Sequence, residues 1–125
     1  MNRACMRALA AAWALCGALG IAPAAAQPAG SADREAGLVH YEAGRYAEAL
    51  TSFTKAAHAG DVRSQEIAGL MNLLGARLYG EGVGEDRAAA RRWLGRAARQ
   101  GSDVAVLIVR RMDDAAPTLA MEPRR

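Results

Sequence analysis

The sequence predicts an all-α protein, a short α-solenoid of about two helix-turn-helix repeats plus a terminal helix, preceded by a signal peptide. Three observations lead there. Apolar residues recur at three- and four-residue steps along most of the chain, as one face of a helix requires. Glycines followed by capping residues punctuate those stretches. The same turn also recurs 41 residues apart, from Gly60-Asp61 to Gly101-Ser102.

The first 26 residues are set aside before the fold is considered. Arg3 and Arg7 are followed by an uncharged run from Ala8 to Ala22 and by the small residues Ala24-Ala25-Ala26. A positive start, an apolar middle and a small-residue site are what export and signal cleavage need, which places the cut between Ala26 and Gln27. The competing reading is an uncleaved membrane anchor, since no charge intervenes between Arg7 and Asp33. Ala dominates the run, however, and its strongly apolar part falls short of the roughly 20 residues that span a bilayer. Both cysteines, Cys5 and Cys16, lie in this segment, so the mature chain must be held by its own core rather than by disulfides. Removing Arg3 and Arg7 from 16 basic residues set against 13 acidic ones leaves a charge of +1, which gives no case for nucleic acid.

Residues 27–32 have nothing to bury and read as a flexible leader, with Ser31 able to cap the first helix. That helix starts at Asp33, carries Ala36, Val39, His40 and Ala43 at helical steps, and ends at Gly44. A second helix over 46–59 sets Tyr46, Ala49, Leu50, Phe53, Ala56 and Ala57 on one face and Glu48, Thr51, Lys55 and His58 on the other. Gly60 stops it and Asp61 caps the third, 62–79, where Ile67, Leu70, Met71, Leu74 and Leu78 share a face and Leu73 lies off it. The third helix is therefore either wrapped on more than one side or broken near Gly69 or Gly75. Gly80 to Gly84 is a loop by composition. Asp86 caps a fourth helix, 87–99, with Ala89, Ala90, Trp93, Leu94, Ala97 and Ala98 apolar and Arg87, Arg91, Arg92, Arg96 and Arg99 opposite. A short fifth helix follows from Asp103 to about Met112, and 113–125 is expected to be a disordered tail.

Laying Lys55-Ala56-Ala57-His58-Ala59-Gly60-Asp61 on Arg96-Ala97-Ala98-Arg99-Gln100-Gly101-Ser102 pairs Ala49 with Ala90 and Phe53 with Leu94. A helix-turn-helix unit at such a period points to a stack in which each unit buries its face only against its neighbour. The first unit, with Gly37, Gly44-Arg45-Tyr46, Ala49, Phe53 and Ala56, resembles a tetratricopeptide repeat. The second, with Leu78-Tyr79, a glycine-rich loop ending in Glu85-Asp86, Ala90, Trp93-Leu94, Ala97-Ala98 and Gly101, resembles the Sel-one-like branch of that family. The resemblance covers 33–112. It implies a right-handed solenoid of antiparallel helix pairs that binds another protein or peptide.

Catalytic and metal chemistry find little support. His40 and His58 sit on different helices with no cysteine to join them, so no metal is assigned. No Gly-x-Ser-x-Gly elbow places a nucleophile beside a base, and the glycine-rich loop lacks the Lys-Ser/Thr of a phosphate loop. Neither an enzyme nor a cofactor is expected. The surface feature carried forward is the arginine face of the fourth helix, which reads either as the ordinary polar side of an amphipathic helix or as a docking face for an acidic partner or peptide. Because two units are few to stand alone, a further expectation is that the domain self-associates or completes its core on a partner, with the apolar third helix as the contact.

Overall fold

The computed structural model describes residues 27–119, and these are all-α: six helices and no strand. The helices are α1 (Ser31–Glu42), α2 (Tyr46–His58), α3 (Val62–Leu74), α4 (Ala76–Tyr79), α5 (Arg87–Arg99) and α6 (Asp103–Leu119). The expected signal peptide and the last residues of the tail lie outside the described residues. Packing follows chain order: α1 lies on α2, α2 on α3, α3 on α5 and α5 on α6.

Two apolar clusters result. The first joins Ala49, Phe53 and Ala57 of α2 to Ala68 and Met71 of α3, together with Val83 and Trp93. The second joins Ala90, Leu94 and Ala97 of α5 to Ala105 and Met112 of α6. Each helix pair closes around one glycine. A Cβ on Gly37 would stand 2.7 Å from the Phe53 ring, and one on Gly69 would stand 2.6 Å from Leu94 Cγ. Gly69 is thus no break point; it is the place where Leu94 approaches the backbone of α3.

The break falls at Gly75. Its φ of 49° is one that side-chain-bearing residues rarely adopt, and a Cβ there would lie 2.6 Å from the backbone of Glu85. The returning loop needs this space, since Asp86 N–H donates to the carbonyl of Asn72 at 2.8 Å. This break turns the expected single third helix into α3 and α4. It also rotates Leu78 out of the expected packing position, leaving it 60% exposed. Leu74 is exposed as well, whereas Leu73, off the anticipated face, packs in the second cluster. The reason is that α3 is covered on two sides, by α2 and by α5.

The amino-terminal helix also differs from its expected pattern. It begins at Ser31 behind Gly30, and the Ser31 hydroxyl donates to Gln27 Oε1 rather than capping the helix. Its core-facing residues are Gly37, buried, and Tyr41, half-buried; Ala36, Val39 and Ala43 are exposed, with no other helix among the described residues laid over them. At the other end, α6 runs on from Met112 to Leu119, tied to α5 by the ion pair between Arg91 and Asp113.

Polar groups at the two turns are satisfied by equivalent devices. Asp61 Oδ2 accepts from Ser64 N–H at 2.8 Å and from the Ser64 hydroxyl, while its Oδ1 accepts from Arg34 of α1 at 2.7 Å. At the second turn the Ser102 hydroxyl accepts from Ala105 N–H at 3.1 Å and donates to the Glu66 carboxylate of α3. Gln100 donates to Gln65 Oε1 at 2.8 Å, and Gln65 Nε2 donates to the Ala57 carbonyl at 3.1 Å. In each case the cap of one helix is gripped by an earlier helix, α1 for Asp61 and α3 for Ser102, which satisfies buried polar atoms that would otherwise oppose the packing.

Candidate protein-interaction face

The sequence of α5 alternates two kinds of residue at helical spacing. Asp86 accepts from Ala89 N–H at 2.8 Å and fixes the start of the helix. From there Ala89, Ala90, Trp93, Leu94 and Ala97 turn inward and are buried, and Arg87, Arg91, Arg92, Arg96 and Arg99 are all exposed. These arginines share a helix but not an environment. Arg91 is bound to Asp113. Among the described residues, no carboxylate forms an ion pair with Arg92 or Arg96.

Arg92 and Arg96 border a recess of about 240 Å³ that is completed by Thr54, His58 and Trp93. The Arg96 guanidinium lies 5.0 Å from the Trp93 ring centroid, within cation–π range. The His58 ring meets the same indole edge-on, with centroids 4.8 Å apart and an interplanar angle of 84°. The wall is therefore aromatic and the rim cationic. An oxygen acid entering it would find two guanidinium groups able to bind it in two-pronged fashion beside an indole that restricts water. His58, which the sequence places on the polar side of α2, was not separable there from an ordinary solvated face, and Thr54 was not singled out by the pattern. Their position opposite Trp93 depends on how α2 and α5 sit beside each other.

A second recess, of about 200 Å³, is lined by Leu38, Tyr41, Phe53, Ile67, Leu70 and Tyr79. Beside it the chain's three tyrosines form a mutual edge-to-face cluster: Tyr41–Tyr46 at 5.2 Å, Tyr46–Tyr79 at 5.3 Å and Tyr41–Tyr79 at 6.0 Å. Burial, followed by the hydrogen bond to Tyr41 and the neighbouring phenols, pushes the Tyr79 hydroxyl up to about 12, so it stays protonated at any ordinary pH.

Of the expected repeat-packing residues, Gly37, Ala49, Phe53, Ala56, Ala90, Trp93, Leu94 and Ala97 are buried, Tyr79 is half-buried, and Leu78 is exposed. His40 is half-buried with its Nδ1 unpartnered, on a different helix from His58. No helix among the described residues is long and apolar enough to cross a membrane.

Fold and site together define a class: a small helical protein with a cationic, aromatic-walled recess on one face. No protein-family model matches the chain, and neither a curated protein nor a solved structure matches it.

Proposed function

We propose that the protein is an exported interaction module, a short right-handed solenoid of tetratricopeptide-like and Sel-one-like repeats, that docks an acidic segment of another protein on the α5 face. Export rests on the pattern of residues 1–26. The repeat reading is supported by the paired Gly37–Phe53 and Gly69–Leu94 contacts, by the equivalent turns, and by packing between neighbours in chain order. The observation that carries the docking reading is the pair Arg92 and Arg96, held beside Trp93 with no ion-pair partner among the described residues. Arg87 and Arg99 extend the positive field that steers such a segment, while Arg91 is engaged with α6.

Trp93 is the sole tryptophan outside residues 1–26, so its fluorescence reports on the recess directly. A Glu-rich peptide is expected to shift that emission, with an affinity that weakens as salt rises. The double change Arg92→Glu and Arg96→Glu abolishes the shift without altering helicity. A native protein whose emission ignores the peptide, together with a crosslinked pull-down in which native and variant proteins recover the same partners, overturns the docking reading. Intact mass tests export separately: cleavage leaves a chain starting at Gln27.

A further inference from the structure

The helices that open each unit carry one stripe in common. In α3 it is Ser64, Ala68 and Met71, all fully buried, with Ala68 and Met71 in the cluster formed with Ala49, Phe53 and Ala57 of α2. In α6 it is Ala105, Val109 and Met112, packed with Ala90, Leu94 and Ala97 of α5. Aligning Gly37 with Gly69 brings Ala32, Ala36 and Val39 of α1 onto the same positions. Here all three are exposed, Val39 by 60%. A surface that is covered by a helix in two places has no helix over it in the third among the described residues.

The charges beside this open face have one sign. Glu35 and Glu42 flank it and are exposed, and Arg34, the one Arg or Lys of α1, is bonded to Asp61. At the opposite end of the described chain, α6 turns its own outer side to solvent. Val104 is 52% and Leu107 66% exposed there, beside exposed Arg110 and Arg111. Asp113 is engaged with Arg91, which leaves Asp103 and Asp114 as the carboxylates of that stretch. The Glu35 and Glu42 carboxylates beside one apolar ridge can pair with the Arg110 and Arg111 guanidinium groups beside the other, which also carries Asp103 and Asp114.

We propose that α6 of one copy docks along α1 of a second copy. Val104 and Leu107 cover Ala36 and Val39, and Arg110 and Arg111 face Glu35 and Glu42. The two surfaces differ, so the contact is head-to-tail: each added copy leaves one α1 and one α6 free, and association continues along a line unless the rotation closes a ring. The expected site of self-association moves accordingly, away from α3, whose apolar residues are largely covered within the chain, to the two end helices. This contact is separate from the α5 recess, so either can fail alone.

The test is a charge swap read by sedimentation velocity on the purified protein. The native protein is expected to sediment faster as concentration rises at low salt and to return to monomer as salt is added. The Glu35→Arg/Glu42→Arg variant and the Arg110→Glu/Arg111→Glu variant, both with native helicity by circular dichroism, each remain monomeric. Mixed in equal amounts they associate again, because each supplies the surface that the other has reversed. Native protein that stays monomeric at every concentration overturns the proposal. So does association that survives in either variant alone, and so does a mixture that stays monomeric. The Arg92→Glu/Arg96→Glu variant self-associates as the native protein does, which separates this contact from the docking of an acidic segment.

Discussion

The first helical pair, α1 with α2, and the second, α3 with α5, solve the same packing problem with different connections. In both, a glycine of the opening helix receives a large side chain of the closing one: Gly37 takes the Phe53 ring and Gly69 takes Leu94. The first pair is joined by the short turn at Ala43–Arg45. The second reaches the same arrangement through the Gly75 break, the single turn of α4, and a loop whose Val83 is buried in the first cluster. The glycine contact is common to both pairs and the route between the helices is free to vary. The two helix pairs thus share a point of close approach, and spacing along the chain is secondary.

That comparison can be broken most severely at the large side chains. Phe53→Ala is expected to cost about 3–5 kcal/mol and Leu94→Ala about 2–5 kcal/mol, because neither site can collapse onto a neighbouring glycine without moving a helix. Urea denaturation measures both, and the equivalence of the pairs predicts that the two losses are of comparable size. Next come the turns. Ser102→Ala removes a cap, about 1 kcal/mol, and also leaves a nearly buried Glu66 oxygen without its donor, a further cost of about 1–3 kcal/mol. Asp61→Ala removes a cap too and leaves the buried Ser64 hydroxyl without its acceptor, while Arg34 is accessible enough to be rehydrated, so its loss in the same experiment is expected to be of comparable size. Gly69→Ala is expected to cost about 1–3 kcal/mol by overpacking against Leu94, and Gly37→Ala a similar amount against Phe53, read as lowered melting temperatures.

The smallest effect concerns the tyrosine cluster, which only the first pair and α4 share. Tyr79 holds its proton more tightly in the folded chain than in the unfolded one, with a value raised from 10.0 to about 12. Its contribution is therefore complete below pH 10 and is lost as pH rises through about 12. Tyr79→Phe, which has no proton to lose, is expected to flatten the fall in melting temperature across that window relative to the native protein.

How much of this was legible beforehand depends on what each residue had to do. The helical class, the stops at Gly60 and Gly101, and the inward residues of α2 and α5 followed from periodicity, since each of those helices has one polar and one apolar side. Helix α3 hid its pattern because neighbours cover two of its sides, so Leu73 read as an exception although it packs, and Leu78 read as core although the break at Gly75 turns it outward. Val83 was unreadable inside a glycine-rich loop, where no period exists to mark an inward position. In α1 the periodic residues Ala36, Val39 and Ala43 were visible and pointed to a buried face, but no helix among the described residues buries them. The arginine face was legible as a charge pattern. That Arg91 is occupied while Arg92 and Arg96 border a recess with His58 and Thr54 is a property of how helices distant in sequence meet.

The chain-order packing of the helices also bears on how fast the protein acquires its structure. Each helix finds its main partner in the next or next but one element, so the segments that must close to make those contacts are short. Folding pays little loop entropy before apolar burial repays it. Proteins whose contacts are this local fold in microseconds to milliseconds, well ahead of sheet proteins of similar size that wait on distant pairings. A chain of this kind reaches its native helices soon after it is released into solution, and so spends little time with the Phe53 and Leu94 sites open to other molecules.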